Sequence, residues 1–269
     1  MNNRNITSAT TVEVAGIRVD LAPRSAVINQ LREAMDGTKP LCVVNTLNPE
    51  ILMQAFNSLE YANILNAGTL NVVDGVGLKL AMTRRPTFEI ERICGSDLIF
   101  DLAEMAECAQ RPLLLLGGLP MRLKKAKFAL SNRYPDLKIE TLSPGFSPTL
   151  PLPEQTQIAD LLRSTRPGVV AVFLGAPRQE TWIAQNRDLL VSCDVRIATG
   201  LGGTIDFLSG EVVRAPKWIR AVGFEWAFRL AQEPKRLRRQ LSSLPEFALR
   251  AIFDRRFINL TPTTGGDHS

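Results

Sequence analysis

The fold of this chain is constrained most by a regular alternation of short apolar runs with longer amphipathic segments. Each run is rich in Val, Leu and Ile, as expected for a strand that is buried on both faces. Six such runs occur, at Leu41–Val44, Asn71–Val73, Leu113–Leu116, Leu137–Thr141, Val169–Leu174 and Val195–Ala198. Because strands that alternate with helices form parallel sheets, the sequence predicts an α/β fold with a mostly parallel, Rossmann-like sheet and helices on both faces.

Composition excludes several classes of protein. With 45% hydrophobic and 22% charged residues, the chain of 269 residues can bury a large core without disulfides. Its four cysteines form no CxxC pair and its one histidine is His268, so neither a zinc finger nor a His-dependent triad is expected. A general base is therefore expected to be a carboxylate. No apolar run of about 18 residues and no signal peptide is visible. The scattered cysteines fit a reducing compartment, which predicts a cytoplasmic location.

The net charge of +5 is concentrated near the C-terminus. Residues 211–256 carry eleven Lys and Arg against five Asp and Glu, a net charge of +6, which leaves −1 for the remainder. The alternation of strands and helices ends near Gly210. We therefore predict an α/β catalytic domain over residues 1–210, a basic helical appendage over residues 211–260 and a flexible tail over residues 261–269.

The basic segment suggests an anionic partner, although a solvated helix face would carry similar charge. Aromatic residues are interleaved with its cations at Trp218, Phe224, Trp226 and Phe228. This combination suits lipid headgroups and also single-stranded nucleic acid, so the residues alone leave both partners open.

Polar or glycine-rich segments follow four of the predicted strands. These segments are Asn45–Asn48, Asp74–Gly77, Gly175–Glu180 and Gly200–Asp206. Because ligands of parallel sheets bind beyond the carboxyl ends of the strands, the four segments are expected to converge on one crevice.

Each polar segment has a structural and a functional interpretation. Asp74 either belongs to a simple turn or accepts a proton from an attacking hydroxyl group. Asn45, Thr46 and Asn48 either cap the next helix or form hydrogen bonds with a sugar. Gln179 either lies in the first turn of a helix or stands near a diphosphate.

The glycine motifs disfavour two common cofactor classes. Neither Gly117-Gly118 nor Gly200–Gly203 completes a GxGxxG pattern and no P-loop is present, which argues against NAD and ATP. The lack of a DxD motif predicts that no divalent metal is bound. Gly200–Gly203 is either a tight turn or, beside Asp206, a site where the N–H groups of Gly202 and Gly203 face a phosphate.

Short motifs between about Val14 and Gln240 resemble those of the WecG/TagA/CpsF bacterial glycosyltransferases. The motifs are Thr46–Glu50, Asp74–Gly77, Glu91–Asp97, Gly175–Glu180, Gly202–Phe207 with Gly210, Arg214–Pro216, Glu225–Leu230 and Glu233-Pro234. Leu47, Arg178 and Ala227-Phe228 replace residues that are more common in the family. The resemblance implies the sheet architecture called GT-E.

The resemblance also implies an inverting transfer that needs neither metal nor cofactor. The donor would be a UDP-sugar and the acceptor a saccharide on a polyprenyl diphosphate, in cell-envelope or exopolysaccharide biosynthesis. The enzyme would attach peripherally to the cytoplasmic face of the membrane, with no nucleic-acid partner, and a homo-oligomer is left open. The alternative is a non-catalytic protein that binds anionic lipid or nucleic acid through its basic segment.

The resemblance assigns roles to particular residues. Asp74 would be the general base, and Thr46 and Asn48 would line the site of donor and acceptor. Further family positions near the substrates are Arg92, Gln179, and, in the appendage around the diphosphate, Arg229, Arg236 and Arg239. These roles agree with elementary chemistry, because without a metal the charge on a leaving diphosphate is stabilised by guanidinium groups.

Overall fold

The centre of the molecule is a parallel sheet of six strands. The computed structural model describes residues 10–83, 90–145, 152–216, 219, 225–232, 235–254 and 256–264. The strands are β3 (Cys42–Leu47), β4 (Leu70–Val73), β5 (Leu113–Leu116), β6 (Ile139–Leu142), β7 (Val169–Val172) and β8 (Ile197–Gly200), in the order β4-β3-β8-β7-β5-β6. All pairs are parallel, which confirms the predicted fold class.

Most helices follow strands of the parallel sheet and pack on its two faces. They are α1 (Arg24–Met35), α2 (Pro49–Phe56), α3 (Leu59–Asn66), α4 (Val76–Met82), α5 (Gly95–Cys108), α6 (Pro120–Arg133), α7 (Leu152–Thr165), α8 (Arg178–Gln185), α9 (Arg187–Ser192), α10 (Thr204–Leu208), α11 (Glu225–Gln232) and α12 (Lys235–Phe253). Side chains of β5 alternate between two apolar cores: Leu113 and Leu115 pack on one face of the sheet, Leu114 and Leu116 on the other. Burial on both faces explains why β5 and β7 are apolar at every position.

A second, antiparallel sheet joins the two ends of the described chain. It contains β1 (Thr10–Val14), β2 (Ile17–Asp20) and β9 (Ile258–Thr264), in the order β2-β1-β9. The prediction of a flexible tail from residue 261 is wrong for residues 261–264, because Thr263 and Thr264 pair with Thr11 and Thr10. Residues 265–269 lie outside the described part of the chain. The seven residues of β9 include a proline and several polar residues, so their sequence did not predict a strand.

The predicted appendage is helical over α11 and α12, whereas residues 211–216 form no helix and residues 258–260 belong to β9. The C-terminal half of α12 packs against α2 and α4, and Phe247 is buried in the same core as β1 and β9. The appendage therefore ends against the α/β body, while the domain boundary near residue 210 stays a prediction. Within the described residues, no helix is long and apolar enough to cross a bilayer.

Candidate functional site

One large cavity lies at the carboxyl edge of the parallel sheet. Its volume is about 1000 Å³, and its lining comes from segments that follow β4, β3, β8, β7 and β5. Because neighbouring strands are about 4.8 Å apart, these five strand ends span roughly 19 Å. The cavity is therefore long enough for an extended substrate.

The cavity brings together most of the residues that the sequence singled out. The predicted residues in its lining are Thr46, Asn48, Asp74, Arg92, Gln179, Gly202, Gly203 and Asp206. Arg229 lies in α11, and Arg236 and Arg239 lie in the first turns of α12. The side chains of these three arginines are outside the described part of the structure, so their proposed role stays a prediction.

Asp74 sits half-buried at the end of β4, in the cavity wall. The N–H groups of Asp74 and Gly75 both donate to the carbonyl of Leu47, at 2.9 and 3.1 Å. A Cβ atom on Gly75 would lie 2.8 Å from Cδ of Pro49, so the turn fits closely against the start of α2. The backbone of Asp74 is thus held at a fixed place beside the end of β3.

Asn48 caps a helix and also lines the cavity, so the cap is confirmed and the hydrogen bond with a sugar stays a prediction. Its Oδ1 accepts a hydrogen bond of 3.0 Å from the N–H of Ile51, which caps α2. The same residue lines the cavity together with Thr46, the last but one residue of β3.

Asn45 does not belong to the cavity lining, contrary to the expectation that it contacts a sugar. Successive side chains of a strand point to opposite faces, and Thr46 takes the face toward the cavity. The amide of Asn45 is 3% exposed and donates to Oδ1 of Asn71 at 2.8 Å and to the carbonyl of Leu65 at 3.3 Å. Asn45 is therefore part of a buried structural network.

The glycine-rich turn after β8 is supported by Gln179. The N–H of Gly202 donates to Oε1 of Gln179 at 2.9 Å, and the N–H of Thr204 donates to the carbonyl of Leu201 at 2.8 Å. The expectation that the N–H of Gly202 faces a phosphate is therefore wrong, because this group already has a partner inside the protein. Gly202 and Gly203 still line the cavity, where their lack of side chains lets a ligand approach closely.

A buried acid stands behind Gln179. Glu180 is 3% exposed, and its carboxyl group accepts from Nε2 of Gln179 at 2.7 Å and from the hydroxyl of Tyr61 at 3.0 Å. Burial raises the pKa of Glu180, and the hydrogen bonds from Gln179 and Tyr61 oppose that rise only in part. Sequence reasoning missed the contact because Tyr61 lies 119 residues away.

Three arginines in the cavity wall can face an anionic ligand. They are Arg92, Arg122 and Arg178. Arg122, in the first turn of α6, pairs with Asp206, which is 6% exposed, and Nη2 of Arg178 donates to the carbonyl of Leu174 at 2.7 Å. Sequence analysis missed Arg122. The residue follows a predicted strand and the Gly117-Gly118 turn, so the rule that ligands bind beyond the carboxyl ends of parallel strands could have located it.

Part of the cavity wall is largely apolar and comes mainly from α12. Its residues share one face of the helix and are Ser243, Leu244, Phe247, Ala248, Ala251 and Ile252. Ile51 of α2 and Leu80 and Ala81 of α4 complete this wall. The sequence predicted an appendage near the site, but not which face of the helix would line it.

The start of the appendage is tied to the cavity rim by an ion pair. Nη1 and Nη2 of Arg214 contact the two carboxylate oxygens of Asp97 at 2.6 and 2.7 Å. Such a bidentate pair fixes both distance and orientation. Asp97 lies in the first turn of α5, next to Ser96 in the cavity lining.

The described residues contain no group of three or more His, Cys, Asp or Glu side chains placed to hold a metal ion. The described side chains of the cavity offer the half-buried carboxylates of Asp74 and Glu50, the buried carboxylate of Asp206, several guanidinium groups and neutral hydrogen-bonding groups. This combination suits proton abstraction next to an anionic leaving group.

Comparison with known proteins gives the class of enzyme. The model of the glycosyl transferase WecG/TagA/CpsF family matches residues 12–260. The chain is a glycosyltransferase, in agreement with a carboxylate and guanidinium groups in one cavity.

More particularly, the chain belongs to the WecG/TagA/CpsF family. It is similar to the N-acetylglucosaminyldiphosphoundecaprenol N-acetyl-beta-D-mannosaminyltransferase of Bacillus subtilis strain 168, with 31% identity over 85% of this chain and 86% of the relative. The enzyme of the same name from Bacillus spizizenii W23 is 30% identical over 79% of each chain. The resemblance seen in the sequence motifs is thus confirmed.

Proposed function

We propose that this enzyme transfers a sugar from a UDP-sugar donor to a saccharide on a polyprenyl diphosphate, with inversion and without a metal, in cell-envelope or exopolysaccharide biosynthesis. One observation carries the proposal: Asp74 shares a cavity with three arginines and with an apolar wall. A donor with a diphosphate and an acceptor with a lipid need these two kinds of surface. Membership of an enzyme family removes the non-catalytic alternative.

The polar part of the cavity supports a nucleotide-sugar donor. Arg92, Arg122 and Arg178 bring guanidinium groups to it, and the helices α2, α4, α5 and α8 all begin in its wall. Helix N-termini carry partial positive charge, so these groups together favour a diphosphate. Guanidinium groups would then take the role that a divalent metal has in other transferases.

The apolar part supports a lipid-linked acceptor. The α12 face and the neighbouring residues of α2 and α4 offer hydrocarbon surface close to Asp74. The names of both Bacillus relatives specify a diphosphoundecaprenol acceptor, which joins a saccharide, a diphosphate and a polyprenyl chain. Such an acceptor would place its sugar by Asp74 and its first lipid units along α12.

The chemical step follows from this placement. The acceptor hydroxyl attacks the anomeric carbon of the donor and forms the new C–O bond, while its proton passes to the carboxylate of Asp74. The bond from the anomeric carbon to the diphosphate oxygen breaks on the opposite face, and its electron pair leaves with UDP. Asp74 is thus a general base, and the arginines stabilise the charge that grows on UDP.

An exposed apolar patch supports attachment to the cytoplasmic face of the membrane. Leu249, Ile252 and Phe253 of α12 are 57%, 50% and 76% exposed, beside the mouth of the cavity. Arg256 and Arg250 lie next to them together with Asp254, and Arg250 also pairs with Glu246. Apolar side chains flanked by cations are typical of a protein surface that contacts an anionic bilayer.

The substitution Asp74→Asn tests the proposed mechanism. The general base would be lost while the shape of the cavity stays the same, so kcat is expected to fall by about 10² to 10⁴ with UDP affinity retained. Transfer from UDP-N-acetylmannosamine and other UDP-sugars to N-acetylglucosaminyl-diphosphoundecaprenol measures the rate, with EDTA present in a parallel series. Asp101→Asn, a half-buried carboxylate that pairs with Arg24 on another surface, is the matched control.

Two results would contradict the proposal. The first is a D74N variant as active as the control, and the second is activity that EDTA abolishes. The anomeric configuration of the product, compared with that of the donor by the proton coupling of the anomeric centre, decides between inversion and retention.

A further inference from the structure

A buried chain of hydrogen bonds connects α3 to the floor of the cavity. The hydroxyl of Tyr61 donates to Oε2 of Glu180 at 3.0 Å, and Nε2 of Gln179 donates to Oε1 of Glu180 at 2.7 Å. The N–H of Gly202 then donates to Oε1 of Gln179 at 2.9 Å. All three side chains are at most 4% exposed, and of the three it is Gln179 that lines the cavity.

Glu180 decides which way the amide of Gln179 points. An amide has one end that donates and one that accepts, and a carboxylate oxygen is an acceptor. With Nε2 directed at Glu180, Oε1 must face the N–H of Gly202. The reversed amide would set two acceptors against each other at Glu180 and two donors at Gly202, and an unpaired buried polar group is unfavourable.

The position of the turn after β8 depends on this amide. A Cβ atom on Gly200 would lie 2.6 Å from Cγ, Cδ and Nε2 of Gln179, so the side chain lies flat against the backbone there. Gly202 has φ +33°, and a Cβ atom placed on it would have Oε1 of Gln179 as its nearest neighbour, at 3.3 Å. Gln179 is thus wedged between the end of β8 and the turn that follows it.

We propose that Tyr61 and Glu180 are positioning residues that fix the amide of Gln179 and, through it, hold the turn Leu201–Gly203 as the floor of the donor site. The identity of the donor rests on the proposed function. The coupling between the buried acid and the turn rests on the hydrogen bonds alone and can be measured without any substrate.

The first test is amide hydrogen exchange at Gly202. The double variant Tyr61→Phe with Glu180→Leu replaces both buried polar groups by apolar groups and leaves Gln179 without its acceptor. The exchange of the Gly202 amide should then be at least about tenfold faster, because a hydrogen bond of this kind contributes about one factor of ten. Glu180→Gln keeps one acceptor oxygen and should give a smaller increase in the exchange rate of the Gly202 amide. This single variant replaces the double variant in the test if the double variant does not fold.

Matched controls separate positioning from general stability. Tyr134→Phe removes the hydroxyl of the other tyrosine, which donates to the carbonyl of Phe100. Asp20→Asn alters another buried carboxyl group, which accepts from the N–H of Asn71. Both should lower thermal stability while leaving the exchange of Gly202 within about twofold of wild type, a margin well below the tenfold effect of one hydrogen bond.

The second test is the affinity for UDP, with the KM for the donor and kcat. UDP should bind about tenfold more weakly to the double variant, with KM raised more than kcat is lowered, because the floor of the site moves but Asp74 does not. If wild type does not bind UDP, the proposed donor is wrong and the exchange test still stands. An unchanged exchange rate at Gly202, or an unchanged UDP affinity when that rate has risen, would overturn the inference.

Discussion

At the scale of single residues, two neighbours in β3 have unrelated tasks. Thr46 lines the cavity, while Asn45 turns away and donates to Asn71 and Leu65. Sequence analysis placed both in the site because it ended the strand at Val44, whereas the strand continues to Leu47. Once the strand is extended, its alternation separates the two side chains.

Asn45→Ala should affect folding rather than ligand binding. Oδ1 of Asn71 would lose its donor in a buried place, so we expect the free energy of unfolding to fall by about 1–3 kcal/mol. Urea titration measures this loss. The UDP affinity of the folded protein should stay within about twofold of wild type, because Asn45 does not line the cavity.

Thr46→Val is the comparison for that experiment. It removes a hydroxyl group from the cavity wall and should lower the rate of transfer with little change in stability. A large loss of UDP affinity in N45A at unchanged stability would show instead that Asn45 contacts the ligand.

At the scale of elements, α12 shows what a sequence pattern can and cannot supply. The charges of residues 211–256 predicted a basic helical segment near the C-terminus, and α12 lies in it. Which face of it turns inward depends on its packing against α2 and α4, which are distant in sequence. The same limit applies to Tyr61 and Glu180, whose contact joins α3 and α8.

Substitution of the exposed patch on α12 should weaken membrane binding. Burying one phenylalanine contributes about 1.5–3 kcal/mol, so Phe253→Ser is expected to reduce binding to phosphatidylglycerol vesicles at least tenfold. Co-sedimentation with vesicles of this composition measures the effect, and neutral phosphatidylcholine vesicles show the contribution of Arg250 and Arg256.

Phe128 provides a matched control, because it is 68% exposed on α6. Phe128→Ser should bind vesicles as wild type does. Equal loss in both variants would mean that binding is not specific to α12, and no loss in either would remove the patch from the membrane contact.

At the scale of the whole molecule, the alternation of strands and helices predicted the parallel sheet and the edge at which the site lies. The strand order was not predictable, since it depends on which strands pair across long separations. The strand β9 was not predicted, because it contains polar residues and a proline and its sequence resembles that of a flexible tail. The strand β9 forms by pairing with β1, which lies at the other end of the chain, so the local sequence does not reveal it.

Removal of residues 257–269 should therefore destabilise the whole enzyme. Phe257, Ile258 and Leu260 are buried, and at about 1.5–3 kcal/mol each their loss approaches the total stability of a typical domain. Differential scanning calorimetry should show a large fall in Tm or no cooperative transition. A chain that ends at Thr264 is the control and should melt as the full chain does, and equal melting of the shorter chain would contradict the role of β9.

The pairing of Arg214 with Asp97 at one end and of β9 with β1 at the other gives the intervening segment two fixed ends. A segment held in this way samples far fewer conformations than a free tail of equal length. A substrate contact made by α11 or α12 therefore carries a smaller loss of chain entropy than the same contact made by a free tail, so that more of the contact energy remains available for affinity.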